Sequence, residues 1–202
     1  MSRLSAAFRA GHKALIGYMT VGYPLIEDTV PIVSALAEAG CDIVELGIPF
    51  SDPLADGATI QAASQQALKQ GVNTSICLET AARLRQRVKI PLLFMTYFNP
   101  VLRFGLDEFC RKSEESGIDG FIVPDLPPED GAELERVASK HDMDIVYLLA
   151  PTSTEERIDL VASRSKGFIY LVSLTGVTGA RQDLPAELDQ FVRRVRQKAR
   201  QP

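Results

Sequence analysis

Residues 44–57, "VELGIPFSDPLADG", concentrate acids where a fold would ordinarily avoid them. An apolar run carries Glu45 at its tip, and a loop with two prolines then brings Asp52 and Asp56. A glutamate on a buried strand is partly desolvated, which raises its pKa toward the range where it can both give and take a proton. Asp56, on the following loop, can return over the same pocket and stay ionised, and two carboxylates in unlike environments divide acid–base labour. The same spacing also fits a structural reading, with Glu45 bonding nearby backbone and Asp56 capping a helix that starts near Thr59. A second stretch, "SLTGVTGARQDLP", places Gly176 and Gly179 among Thr175 and Thr178, which suits a mobile loop or an anion nest of backbone N–H groups.

The elements that must position these groups alternate along the whole chain. Strand-sized apolar runs fall at 14–22, 42–48, 90–97, 120–126, 144–150 and 167–174. Their nearly unbroken hydrophobicity means that both faces are covered, as in a parallel sheet. Between them lie amphipathic helical patterns, one spacing Val30, Val33, Leu36 and Ala37 on one face and stopping at Gly40. The insert 59–88 holds two helices split near "GVNTS", and "TSTEERIDLVASRSKG" opens on a capping signature. Several strands share a lead-in of the form hydrophobic-Asp-hydrophobic, as in "AGCDIVEL", "SGIDGFIV" and "HDMDIVYL". This is an α/β protein, and a TIM (β/α)8 barrel is preferred over a doubly wound sheet. Polar residues recur at the strand ends (Glu45, Tyr97, Asp125, Tyr147, Tyr170 and Ser173), and in a barrel such ends face one pocket. Only about six of the eight strand–helix units are counted, so residues 1–202 are expected to form a single barrel domain, C-terminally incomplete, with open edges at strands one and six.

Composition narrows the function classes. The net charge of −4 argues against a nucleic-acid binder, and "RRVRQKAR" near the C-terminus reads as the charged face and last turn of a helix. Three widely spaced cysteines without a CxxC pair fit buried, reduced thiols. His12 and His141 lack metal-ligand spacing and are expected on the surface of flanking helices, so no metal site is expected. No apolar run is long enough for a membrane helix and no signal peptide is evident, so a cytoplasmic location without membrane association is expected.

"ELGIPFSDPLADG" followed by "GVTGAR" after strand six resembles the tryptophan synthase alpha subunit, and "TVGYP", "MTYFNPV" and "VPDLP" occur in the matching order. The resemblance covers essentially the whole chain. It implies a TIM-barrel lyase that cleaves indole-3-glycerol phosphate to indole and glyceraldehyde 3-phosphate by a retro-aldol reaction. Glu45 is similar to the family's acid–base glutamate, Asp56 to the aspartate that accepts the indole N–H, and Tyr170 to the strand-six tyrosine beside the glutamate. Tyr18, where many relatives carry Phe, and Met95 and Tyr97 would line the substrate slot. Thr178 and Gly179 would close loop six and contribute to the phosphate site, whose remaining loops follow strands seven and eight in the family. The resemblance implies no cofactor in this chain, a PLP-dependent beta subunit as partner in an alpha2beta2 assembly, and a meeting surface at Asp52, Pro53 and Asn99. Two alternatives stay open: a stand-alone lyase that releases free indole, and a catalytically silent fragment that only binds a partner.

Overall fold

The computed structural model describes residues 2–173 and 188–202. Five parallel strands pair in chain order: β1 (Ile16–Thr20), β2 (Ile43–Gly47), β3 (Leu92–Met95), β4 (Gly120–Ile122) and β5 (Asp144–Val146). A second parallel pair, β6 (Leu148–Leu149) with β7 (Tyr170–Leu171), follows. The helices are α1 (Arg3–Ala6), α2 (Thr29–Glu38), α3 (Ala58–Lys69), α4 (Thr74–Arg85), α5 (Phe98–Phe104), α6 (Leu106–Glu115), α7 (Ala132–Ala138), α8 (Glu155–Arg164) and α9 (Leu188–Lys198).

Successive strand residues point to opposite faces, and the core divides accordingly. Val44, Leu46, Leu92, Phe94, Phe121 and Ile145 pack outward against helical residues such as Val33, Leu84, Phe109 and Val137. Ile16, Ile43, Leu93, Ile122, Val146 and Phe168 pack inward, where Leu4 of α1 and the adjoining Ala7 and Phe8 join them. Two covered faces explain why the strands lack polar alternation. In the ladder Tyr18 sits opposite Glu45, Glu45 opposite Leu93, and Gly47 opposite Met95.

The aspartates of the strand lead-ins fasten the opposite end of the sheet. Asp42 accepts the Leu15 N–H at 2.9 Å. Asp119 accepts the Leu92 N–H at 2.8 Å and hydrogen bonds from Arg85 and Arg3. Asp144 accepts the Ser2 hydroxyl at 2.5 Å. Each lead-in thus ties its strand to the start of another strand or to the N-terminal segment.

Four expectations need correction. Strand five does not run unbroken through 144–150: the Tyr147 N–H turns to the Ser165 hydroxyl at 3.0 Å, which interrupts it between β5 and β6. The sixth run forms a strand only at Tyr170–Leu171 among the described residues. "FNPVLRF" is a helix, α5, absent from the pattern read in the sequence because its N-terminal N–H is capped by a residue far away in the chain, Asp125. His12 lies in a turn and not on a helix, where its imidazole pairs with the Asp42 carboxyl at 2.9 Å. Other readings hold. The two helices of the insert are α3 and α4, Thr154 caps α8 by accepting the Arg157 N–H, and all three cysteines are free and buried. The basic C-terminal stretch is the charged face of α9, with Arg194 paired to Glu155 and Lys198 to Glu155 and Asp159.

The outer layer turns on Phe109, fully buried, whose ring lies 5.0 Å from Phe121 and 6.1 Å from both Phe94 and Phe104. Phe109→Ala is expected to lower the unfolding free energy by about 3–5 kcal/mol, the usual cost of emptying such a site. The urea midpoint of the variant against the parent measures it.

Candidate active site

Glu45 is the central residue of β2, not its tip, and alternates with Val44 and Leu46, so its side chain faces inward beside Ile43. It is 5% exposed. Among the described residues no backbone N–H and no side chain hydrogen-bonds to its carboxyl, and desolvation alone pushes its pKa up to about 7. The reading in which Glu45 bonds neighbouring backbone therefore fails here.

Tyr18 and Tyr170 flank it. Tyr18, directly opposite in the ladder, points its hydroxyl to the Thr20 hydroxyl at 3.2 Å. Burial pushes its pKa up to about 12, and the charges of Asp56, Glu45 and Tyr97 add to the shift. A Cβ on Gly47 would fall 2.1 Å from the Tyr18 oxygen, so a glycine at this position lets the tyrosine lie across β2. The signal was present in the sequence, since glycine inside a strand often marks a close approach. Tyr170, half-buried on the inner face, is raised by burial and by the charge of Glu45. Met95 joins the same inner cluster.

Asp56 stands on the loop before α3. The N-cap of that helix is Gly57, and no side chain caps it, so the capping reading for Asp56 fails as well. The Asp56 carbonyl accepts the Gln61 side-chain amide at 2.8 Å. Burial raises its carboxyl pKa, and the neighbouring Tyr97 hydroxyl pulls it partly back. Tyr97, 5% exposed, also accepts the Ala55 N–H at 3.0 Å and packs on Phe50 with ring centroids 5.4 Å apart. Glu45, Asp56, Tyr18, Tyr97 and Tyr170 are thus brought into one electrostatic neighbourhood.

Two strand-end residues do not join it. Tyr147 points outward and donates to Glu135 of α7 at 2.5 Å, and Asp125 is exposed. Thr178 and Gly179, with the rest of the "GVTGAR" stretch, lie outside the described residues. The residues expected to meet a partner lie at the surface: Asp52 and Asn99 are exposed and Pro53 half-buried. Ser51 donates to the Asp52 carboxylate. Beside them a cavity of about 370 Å³ is lined by Phe50, Ser51, Asn99 and Arg103 among others. Leu54 and Leu102, 83% and 56% exposed, stand out of the same region. Among the described residues no group of three or more His, Cys, Asp or Glu could hold a metal ion, and no helix is long and apolar enough to cross a membrane.

Comparison with known proteins bears on this arrangement. The family model for the tryptophan synthase alpha chain matches residues 4–202. The chain belongs to that family. The tryptophan synthase alpha chain of Dehalococcoides mccartyi is 57% identical over the whole chain, which covers 79% of that relative, and the one from Chloroflexus aggregans is 49% identical with 78% covered. Among solved structures, tryptophan synthase of Mycobacterium tuberculosis superposes with a TM-score of 0.92 at 38% identity, over 100% of this chain and 78% of that one. The tryptophan synthase a2b2 complex of Pyrococcus furiosus superposes with a TM-score of 0.87 at 38% identity, over 93% and 75%. The parallel sheet with its helices is therefore part of a (β/α)8 barrel, and the enzyme class read from the sequence, a lyase of tryptophan biosynthesis that cleaves indole-3-glycerol phosphate, is that of the family.

The burial of Glu45 carries a pH signature. Its folded pKa, about 7, lies above the ordinary value of 4.5, so between the two the folded protein keeps a proton that the unfolded chain releases. Stability therefore falls as pH rises through this window, by on the order of 3 kcal/mol at full ionisation. Below it both states are protonated and the term vanishes. Glu45→Gln has no such term, so its advantage over the parent in urea unfolding is expected to be larger at pH 8 than at pH 5.

Proposed function

We propose that Glu45 is the acid–base residue of indole-3-glycerol phosphate cleavage in this protein and that Asp56 holds the indole N–H. The reading is supported above all by the uncompensated burial of Glu45: a carboxyl with pKa near 7 is present in both protonation states at neutral pH. The protonated form delivers its proton to the ring carbon that bears the glycerol chain. The ring nitrogen then carries the positive charge, and the Asp56 carboxylate, accepting its N–H, stabilises that cation. The Glu45 carboxylate next takes the proton of the adjacent glycerol hydroxyl. The carbon–carbon bond breaks, its electron pair returns to the ring, and indole and glyceraldehyde 3-phosphate result. Glu45 ends protonated, as it began.

Tyr170 borders Glu45 and keeps water from it on the β7 side. Tyr18, Met95 and Tyr97 form the wall against which the indole ring packs. Thr178 and Gly179 belong to the same reading as parts of loop six and the phosphate site. The exposed face at Asp52, Pro53 and Asn99, with Leu54 and Leu102, receives a PLP-containing beta subunit in an alpha2beta2 assembly. The alpha chain itself needs no cofactor, and the assembly works in the cytoplasm.

Glu45→Gln keeps the shape and removes the proton, so indole release is expected to fall about 10²–10⁴-fold with little change in KM. Retention of more than a tenth of the parent turnover would overturn the assignment. Asp56→Asn is expected to lower kcat about ten-fold or more, in the range of a lost charge-assisted hydrogen bond. Because Gly57 and not Asp56 caps α3, thermal stability should change little in that variant, and a drop in melting temperature with unchanged kcat would contradict the proposed role.

A further inference from the structure

The "VPDLP" stretch contains an acid that the cleavage reaction does not use. Asp125, exposed at the end of the β4 segment, accepts the N–H of Phe98 at 2.9 Å. Phe98 opens α5, and the N-cap position of that helix belongs to Tyr97, whose backbone is extended (φ −88°, ψ 157°) and which supplies no side-chain cap. A tyrosine cannot do so, because its phenol oxygen lies too far from its own backbone. Here the phenol is committed elsewhere: it packs on Phe50 and accepts the Ala55 N–H at 3.0 Å, one residue before Asp56. The position of Tyr97 is thus set from one side by β3 and from the other by the first turn of α5, whose leading N–H is held by Asp125.

We infer that Asp125 is a positioning residue for the cleavage reaction, acting through Phe98 and Tyr97 to hold the loop that carries Asp56. The chain of contacts runs Asp125 carboxylate, Phe98 N–H, Tyr97 hydroxyl, Ala55 N–H, Asp56. The two outer links are hydrogen bonds, Phe98 N–H to Asp125 and Ala55 N–H to the Tyr97 hydroxyl, and between them the link is covalent, through the Tyr97–Phe98 peptide and the Tyr97 side chain. The site gains something specific from this arrangement. Glu45 is fixed by the strand ladder, whereas Asp56 stands on a loop whose outer residues Ser51, Asp52 and Leu54 are exposed. An aspartate on such a loop needs an anchor from the barrel, and Tyr97 is that anchor only while α5 starts where it does. Loss of an N-terminal cap releases the first turn of a helix. Displacement of a positioned group by as little as about 1 Å is enough to lower a rate by up to about 10².

The inference rests on the proposed role of Asp56, and the test separates the two. Indole release from indole-3-glycerol phosphate is measured for the full chain carrying Asp125→Ala, Asp125→Asn, Tyr97→Phe, the Tyr97→Phe/Asp125→Ala pair, and Asp56→Asn. Asp125→Ala is expected to lower kcat about five- to twenty-fold with KM changed less than two-fold. Asp125→Asn, which caps about as well as aspartate, should stay within about two-fold of the parent. The double variant should be no slower than the slower of its two single variants, since both changes break one chain. If Asp125→Ala turns over normally while Asp56→Asn is slow, the positioning role is overturned and the role of Asp56 stands. If the double variant multiplies the two single losses, Asp125 acts by another route and the inference is likewise overturned. If Asp56→Asn is itself normal, the underlying reading falls first. A loss of melting temperature in Asp125→Ala without loss of kcat marks the contact as structural only.

Discussion

A carboxyl group buried in the middle of a strand with no counter-charge among the described residues is the constraint on which the rest of this molecule depends. Burying a charge without a partner is costly, and a protein ordinarily neutralises the group instead. The price here is a stability that declines as the pH rises from about 4.5 to about 7. The inner face beside Glu45 is closed from below. Leu4 of α1 is fully buried among Ile43, Leu93 and Phe168, and at Gly167 a Cβ would come within 2.3 Å of the Leu4 side chain. The N-terminal segment is therefore a stopper fitted to the barrel floor, held by the Ser2–Asp144 and Arg3–Asp119 contacts.

The two ends of the sheet treat acids in opposite ways. At the floor, Asp42 and Asp119 are each met by a backbone N–H and by cationic side chains, and Asp42 is held below the usual aspartate range by the Leu15 N–H first and His12 next. Burial pushes Asp119 upward, and the Leu92 N–H, Arg85 and Arg3 pull against it. At the other end, Glu45 meets no counter-charge among the described residues and Asp56 meets only a phenol. Partnered acids set strand register and join segments. Glu45, which lacks a partner among the described residues, keeps a proton near neutrality and is available for chemistry.

This difference marks how far the sequence could be read. Parallel strands, the helices between them and the alternation that turns Glu45 inward follow from hydrophobic runs and period, both local properties. Hydrophobicity does not show the break of strand five at Tyr147, whose N–H is captured by Ser165, nor the start of α5, whose cap comes from Asp125. Both depend on pairs far apart in the chain, which no local pattern encodes. Tyr147 illustrates the limit within the candidate site as well: as a polar residue at a strand end it looked equivalent to Tyr170, yet one residue of register sends it to the helical layer. For Glu45 and Asp56 the sequence leaves a chemical and a structural reading side by side, and only the absence of a bonding partner for one and the Gly57 cap for the other separates them.

The two acids are held by different kinds of structure, and this shapes what can act on the site. Glu45 moves only if the ladder between β1, β2 and β3 moves, a rigid unit with paired backbone on both sides. Asp56 moves with a loop fastened at its feet, by Phe50 and Ala55 to Tyr97 and by the Asp56 carbonyl to Gln61, while the arch between them faces solvent. A molecule seated on that arch would touch the loop that carries the aspartate and not the ladder that holds the glutamate. In the proposed reaction, protonation at the ring carbon and stabilisation of the ring cation fall in the same step, so a shift of one acid alone would change the rate of the whole. Placing one carboxylate on a strand and the other on a loop thus leaves only the second within direct reach of the exposed surface.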